Sequence, residues 1–69
     1  MSKSKYDNIL VHYWYENGGN GGSFILKGAK CFSDIDEALE KEVPNYFWAD
    51  YWDLNKHPDM EVDVKVIHV

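Results

Sequence analysis

The sequence predicts a small α+β domain with the element order β-β-α-α-β. Three observations support this prediction. Residues 8–16 are rich in β-branched and aromatic side chains, residues 33–43 carry a helical apolar repeat behind an acidic first turn, and residues 60–69 alternate between apolar and polar side chains. From these elements we expect a three-stranded antiparallel sheet in the order 2-1-3, with both helices on one face.

Length limits the chain to one domain. The 69 residues are expected to form a single unit, residues 1–69, in which residues 1–7 are a flexible tail. The first strand is expected over about residues 9–16. Both of its faces are largely apolar, which favours a central position in the sheet.

The sequence NGGNGG at residues 17–22 predicts a hairpin loop, because glycine and asparagine adopt positive φ angles at low cost. A phosphate-binding loop would need a Lys-Ser/Thr pair and a helix directly afterwards, but the next residues favour a strand. That second strand is expected over about residues 23–30. Gly28 within it indicates a bulge or a bend.

The first helix is expected over about residues 34–43. Ser33 is the candidate N-cap, and Asp36 stands three residues later in the position of the capping-box acid. Pro44 ends the helix. The apolar side chains that share one helical face are Ile35, Ala38, Leu39 and Val43.

Pro44 is also suited to begin a second short helix over about residues 45–54. Helical spacing would place two tryptophans on one face and a phenylalanine with a tyrosine on another. One pair is expected to enter the core, and the other to lie at the surface among carboxylates. The residues concerned are Phe47, Trp48, Asp50, Tyr51, Trp52 and Asp53.

The last strand is expected over about residues 60–68. A turn at residues 55–59 (NKHPD) precedes it, and its valines alternate with charged residues, as in a strand with one buried face.

Composition excludes several classes of protein. Twelve acidic residues oppose seven basic ones, all lysine, so the net charge is −5. Arginine, which recognises phosphate and guanine with two parallel hydrogen bonds, is absent, so direct binding to nucleic acid is not expected.

No apolar run approaches the ~20 residues that span a bilayer, and no signal-peptide core is present. With a single cysteine the chain forms no internal disulfide. We therefore expect a soluble, cytoplasmic protein without membrane association.

Catalytic and metal-binding groups are sparse. Cys31 is expected to be a small buried thiol, and the histidines stand one to an element, without the close spacing of a metal site. His57 and Asp59 flank Pro58 in a turn, and a metal site there would need a third ligand from His12 or His68. Carboxylate pairs exist, but a glycosidase also needs a deep cleft, which so short a chain does not build beside a core. We expect no enzyme activity, no cofactor and no metal.

The charges are unevenly distributed along the chain. Residues 1–32 contain four lysines and two acids, a net of +2, whereas residues 33–63 contain two lysines and ten acids, a net of −8. One interpretation is a solvated face that serves solubility. The other is a partner-binding face with an aromatic anchor among carboxylates. Its candidate residues are Asp34, Glu37, Glu40, Asp50 and Asp53, with Trp48 or Trp52 as the anchor.

In its small size, acidity, lack of arginine and β-β-α-β plan, the chain resembles the small acidic anti-CRISPR proteins of phages and mobile elements that act as DNA mimics. The resemblance implies an inhibitor, working in the host cytoplasm, that binds a CRISPR effector where target DNA would lie.

Two alternatives remain open from the sequence. One is an antitoxin or immunity protein that covers the basic active site of a nuclease, and the other is a non-catalytic interaction module of a larger complex. In each case we expect a monomer whose partner is a protein with a basic surface, and not nucleic acid itself.

Overall fold

The computed structural model describes residues 6–17 and 21–69, which form a four-stranded sheet and one α-helix. The expected tail and glycine loop lie partly outside these residues, at 1–5 and 18–20. The α+β class is confirmed. In chain order the elements are β1 (Asn8–Trp14), β2 (Gly22–Lys27), α1 (Phe32–Glu42), β3 (Trp48–Asp53), a short 3₁₀ helix (Pro58–Met60) and β4 (Lys65–His68).

The strand order is β3-β1-β2-β4. β1 is central, as expected, and pairs antiparallel with both β2 and β3. β4 pairs parallel with β2. The expected three-stranded antiparallel sheet in the order 2-1-3 is therefore wrong. β3 takes the place beside β1 that was expected for the C-terminal strand, which leaves the outer edge of β2 for β4.

The expected second helix over residues 45–54 is also wrong, because this segment contains β3. Tyrosine, phenylalanine and tryptophan favour strands, since they pack well on a pleated surface. A strand here also satisfies the main-chain groups along one whole side of β1, which a helix would leave without partners.

One face of the sheet packs against α1. Its core includes the fully buried Ile9, Val11 and Leu26 of the sheet and Ile35 of the helix. α1 begins earlier than expected: Cys31 is the N-cap, and no side chain caps it. Ser33 and Asp36 therefore do not form a capping box.

Asp34 instead stabilises the start of α1. Its carboxylate accepts a hydrogen bond of 2.8 Å from the main-chain amide of Lys30, just before the helix, and its charge lies in the first turn, where the helix dipole favours an acid.

The other face of the sheet is covered by the connection from β3 to β4. Met60 and Val64 of this connection pack, together with Trp52, against a buried cluster formed by Leu10, Ile25 and Leu54. The expectation of helices on one face only is thus replaced by α1 on one face and an extended connection on the other.

Gly28 ends β2 in a bend. Its φ angle of +88° belongs to the region that favours glycine, and its amide donates to the main-chain oxygen of Asp7 at 3.0 Å. The described end of the expected tail is therefore bound to the sheet. No helix in the described parts of the chain is long and apolar enough to cross a membrane.

Candidate functional site

Large aromatic side chains lie exposed around β3. Phe47 is 62% exposed, Trp48 59% and Tyr51 41%. Such residues normally bury most of their surface, and contiguous exposed apolar area often marks a binding site. The surroundings of β3 are therefore the first place to look for function.

Strand alternation divides these residues between two faces. Ala49 and Tyr51 lie on the α1 side, where Ala49 packs against the main core, and Phe47, which precedes the strand, lines the groove on that side. Trp48 and Trp52 lie on the opposite side, where Trp52 packs against the second cluster. β3 thus presents aromatic surface on both of its faces.

A groove of about 230 Å³ runs between α1 and β3 on the first face. Ile35 and Leu39 of the helix contribute apolar lining, Phe47 and Tyr51 contribute aromatic lining, and Asp36 adds a carboxylate. We call this the α1–β3 groove. The groove is large enough to accept one or two side chains. Its lining is mainly apolar, with the carboxylate of Asp36 at its wall.

Three aromatic rings are grouped at one end of the groove. The centroids of Phe32 and Tyr51 lie 5.5 Å apart with edge-to-face geometry, and Tyr6 lies 6.4 Å from Phe32 and 6.3 Å from Tyr51. These separations are within the range in which aromatic pairs attract each other. The grouping holds an exposed aromatic surface in a defined arrangement.

Trp14 and Trp48 are opposite each other on the second face, in the register of β1 and β3. The ring of His12 contacts that of Trp14 edge-to-face, with centroids 4.4 Å apart. His12 Nδ1 also lies 2.7 Å from the hydroxyl oxygen of Ser23. We call this group the tryptophan face.

Pairing across three strands aligns Ser23, His12 and Asp50 in one row. These residue types form catalytic triads, in which the histidine is hydrogen-bonded to both the nucleophile and the carboxylate. Among the described residues, no hydrogen bond or ion pair joins His12 to Asp50. Because no carboxylate contact orients the His12 ring as in a triad, we interpret the row as a cluster of polar side chains across three strands.

The acidic residues selected from the sequence lie on two elements. On α1, Glu37 and Glu40 are exposed, whereas Asp34 is engaged at the helix start. On β3, Asp50 is exposed, whereas the carboxylate of Asp53 accepts a hydrogen bond of 2.9 Å from the amide of Asn55. Asp34 and Asp53 therefore have local structural roles as well as charge.

The two tryptophans selected from the sequence differ in burial. Trp48 is exposed, and Trp52 is half-buried. Strand alternation places their side chains, with that of Asp50, on the face of the sheet opposite α1, while Trp48 and Asp50 also line the α1–β3 groove that contains Asp36. Neither expected aromatic pair enters the core as a unit. Whether these residues bind a partner stays a prediction.

Sequence reasoning missed the groove residues Phe32, Asp36 and Tyr46. Asp36 was assigned to a cap, and Tyr46 to a second helix. Reading residues 48–53 with a period of two, as for a strand, would have placed Ala49 and Tyr51 beside α1. Tyr46 precedes the strand and packs against the same core.

Potential reactive and metal-binding groups are dispersed. No group of three or more His, Cys, Asp or Glu side chains suited to a metal lies within residues 6–17 and 21–69. Cys31 is exposed, contrary to the expected burial, and its sulfur lies 2.9 Å from the hydroxyl of Ser33. Burial and the neighbouring Tyr15 raise the pKa of Tyr13 above its ordinary value, so this phenol stays protonated at neutral pH.

In comparisons with known proteins, no family model matches the chain, and no curated protein or solved structure matches it.

Proposed function

We propose that this protein is a non-catalytic inhibitor that binds a basic, nucleic-acid-binding protein surface and blocks its access to DNA, as a DNA mimic does to a CRISPR effector. One observation carries the proposal. The edge strand β3 and the residue before it expose Phe47, Trp48 and Tyr51 beside carboxylates, in a chain of net charge −5 without arginine.

Aromatic and acidic groups suit such a partner for different reasons. Aromatic faces attract arginine side chains and fill apolar pockets, and these contacts contribute most of the binding energy at protein interfaces. Exposed carboxylates contribute little individually, but together they accelerate association with a positive surface. Around β3, Asp36 and Asp50 supply this charge directly beside the aromatic residues.

A competition experiment tests the proposal. Purified CRISPR effector complexes of several types are each incubated with labelled target DNA, with the protein added before or after the DNA. We expect the protein and DNA to exclude one another on at least one complex. Association should slow as salt is added, because a Debye length of about 8 Å at physiological ionic strength screens long-range attraction.

Matched charge-reversal variants identify the surface. The test variant carries Glu37→Lys, Glu40→Lys and Asp50→Lys, all at exposed positions of α1 and β3. The control carries Asp59→Lys, Glu61→Lys and Asp63→Lys in the connection between β3 and β4, with the same change in net charge. We expect the first to lose inhibition and the second to keep most of it. Simultaneous binding of protein and DNA, or full inhibition by the folded test variant, contradicts the proposal.

An antitoxin that covers the active site of a nuclease would have the same surface chemistry. Nuclease toxins are therefore included in the same panel. Exclusion of substrate from a nuclease, with no effect on any CRISPR effector, would assign the protein to this alternative.

A further inference from the structure

β3 lies at one edge of the sheet formed by the described residues. β3 is the first strand in the order β3-β1-β2-β4, and no described residue pairs with its outer side. An edge strand carries unpaired main-chain N–H and C=O groups, which are a template for another strand.

Two hydrogen bonds establish which groups point outward. Leu54 N donates to Asn8 O at 2.9 Å, and Gly28 N donates to Asp7 O at 3.0 Å. Because hydrogen-bonded pairs alternate along antiparallel strands, the even-numbered residues of β1 bond to β3 and the odd-numbered ones to β2. In β3, the main-chain groups of the even-numbered residues therefore face β1. Those of Ala49 and Tyr51 face outward, as does the amide of Asp53, whose carbonyl oxygen accepts hydrogen bonds from the amides of Lys56 and His57.

Both sides of this edge offer places for the side chains of an added strand. On the α1 side lies the α1–β3 groove, with Phe47 and Tyr51 exposed at its margin. On the other side lie the exposed Trp48 and Asp50. A strand added here would place alternate side chains in the groove and against the tryptophan face.

Charge determines which occupant fits. Asp50 and Asp53 belong to β3 itself, and Asp36 lines the groove. A second copy would bring another net charge of −5 to the same edge, which disfavours pairing between two copies. A segment that contains arginine or lysine would instead be attracted, and its guanidinium groups could stack on Trp48.

We propose that β3 binds an extended basic segment of the partner as an added strand. The segment forms main-chain hydrogen bonds to Ala49 and Tyr51 and to the amide of Asp53, places apolar side chains in the α1–β3 groove, and places basic side chains against Trp48 and Asp50. This inference rests on the proposed function, because it assumes that the partner is basic.

Amide hydrogen exchange of the full chain tests the added strand. The probe is a blocked heptapeptide of alternating arginine and valine, with an alternating glutamate and valine peptide as the control. With the basic peptide at saturation, we expect exchange at the amides of Ala49, Tyr51 and Asp53 to slow at least about tenfold. The amides of Trp48, Asp50 and Trp52 already face β1 and should change little.

A pair of proline variants tests the same point through affinity. Ala49→Pro removes an outward amide of β3, and an edge strand tolerates proline at such a position. In the parallel pair of β2 and β4, Val69 N donates to Lys27 O, so Val66 faces outward on the other edge of the sheet. Val66→Pro is therefore the matched control. We expect Ala49→Pro to weaken peptide binding about tenfold or more and Val66→Pro to leave it unchanged.

Each contrary result has a distinct meaning. Peptide binding without protection of the three outward amides overturns the added strand and leaves the proposed function intact. Failure of the basic peptide to bind also overturns it, whereas the DNA competition decides the proposed function independently. Protection that rises with protein concentration without peptide would show that the occupant is a second copy, which overturns the basic segment. If Ala49→Pro fails to fold, the exchange measurement on the unmodified protein still decides.

Discussion

Gly21 lies against the main chain of β1 at the start of the second strand. A Cβ atom added there would overlap the main-chain oxygen of Tyr13. At Gly22, by contrast, an added Cβ would meet the Tyr13 hydroxyl at 2.6 Å, at the far end of a side chain that can turn away. The two glycines therefore differ in whether backbone or side chain must move.

We expect Gly21→Ala to lower the free energy of unfolding by about 1–3 kcal/mol, the usual cost of forcing atoms into a packed site. Gly22→Ala should cost less, because only a side chain must shift. Urea unfolding of both variants checks this order. Equal stability of Gly21→Ala and the unmodified protein would show that the two strands separate easily at this point.

The raised pKa of Tyr13 predicts that the protein loses stability at alkaline pH. Burial, and then the neighbouring Tyr15, raise its pKa above the ordinary value of 10.0. The folded protein thus holds this proton more tightly than the unfolded chain does. The contribution of the protonated Tyr13 phenol to the free energy of unfolding is therefore fully present below pH 10.0, and it is lost as the pH rises through the folded-state pKa.

Urea unfolding between pH 8 and pH 11 tests this expectation, at values chosen to lie on both sides of the ordinary pKa of about 10. The unmodified protein should lose stability more steeply above pH 10.0 than Tyr13→Phe does. Identical slopes for the two proteins would contradict a role for this phenol.

At the scale of elements, β3 determines both the sheet and the candidate site. It completes the pairing of β1, and the two tryptophans on one of its faces differ in burial. Trp52 packs against Leu10, Ile25 and Leu54, whereas Trp48 is exposed beside Asp50. One strand thus holds a structural tryptophan and a candidate binding tryptophan.

The two tryptophans give a matched prediction. Trp52→Ala should lower the free energy of unfolding by about 2–4 kcal/mol, because it opens a cavity in the second cluster. Trp48→Ala should change it by less than about 1 kcal/mol, as at most surface positions, while reducing partner and peptide binding. Chemical unfolding of both variants measures the difference. The reverse order of stability would show that Trp48, and not Trp52, provides the packing on this face of β3.

For the whole molecule, the dominant feature is excess negative charge. Residues 33–63 carry a net charge of −8 in a chain whose total is −5. Lys65 compensates locally, with its Nζ 2.6 Å from a carboxylate oxygen of Glu42, but an exposed pair of this kind contributes only about 0–1 kcal/mol. Mutual repulsion of the acids should therefore destabilise the folded state at low salt.

We expect added NaCl to stabilise the protein between about 10 mM and 150 mM, where the Debye length falls from about 30 Å to 8 Å. The variant with Asp59→Lys, Glu61→Lys and Asp63→Lys changes the net charge from −5 to +1 and should respond less. Thermal unfolding at several salt concentrations measures both proteins. Stability that falls with salt in the unmodified chain would show that attractive pairs outweigh the repulsion.

The sequence by itself determined the α+β class, the central position of β1, its antiparallel pairing with β2, and the face of α1 that enters the core. These features follow from local patterns, because side chains repeat with a period of two in a strand and 3.6 in a helix. The acidic character of the candidate site was equally visible, since charge is a property of composition.

Only the tertiary structure decided what residues 45–54 become. Trp48 and Trp52, four residues apart, share a face in a helix and also in a strand, so spacing did not distinguish the two forms. β1 decided the outcome, because its unpaired main-chain groups are satisfied by a strand and not by a helix. That pairing also moved β4 to the edge of β2 and turned the side chain of Asp50 to the face opposite α1. It left the outer edge of β3 open, because no described strand remained to cover it.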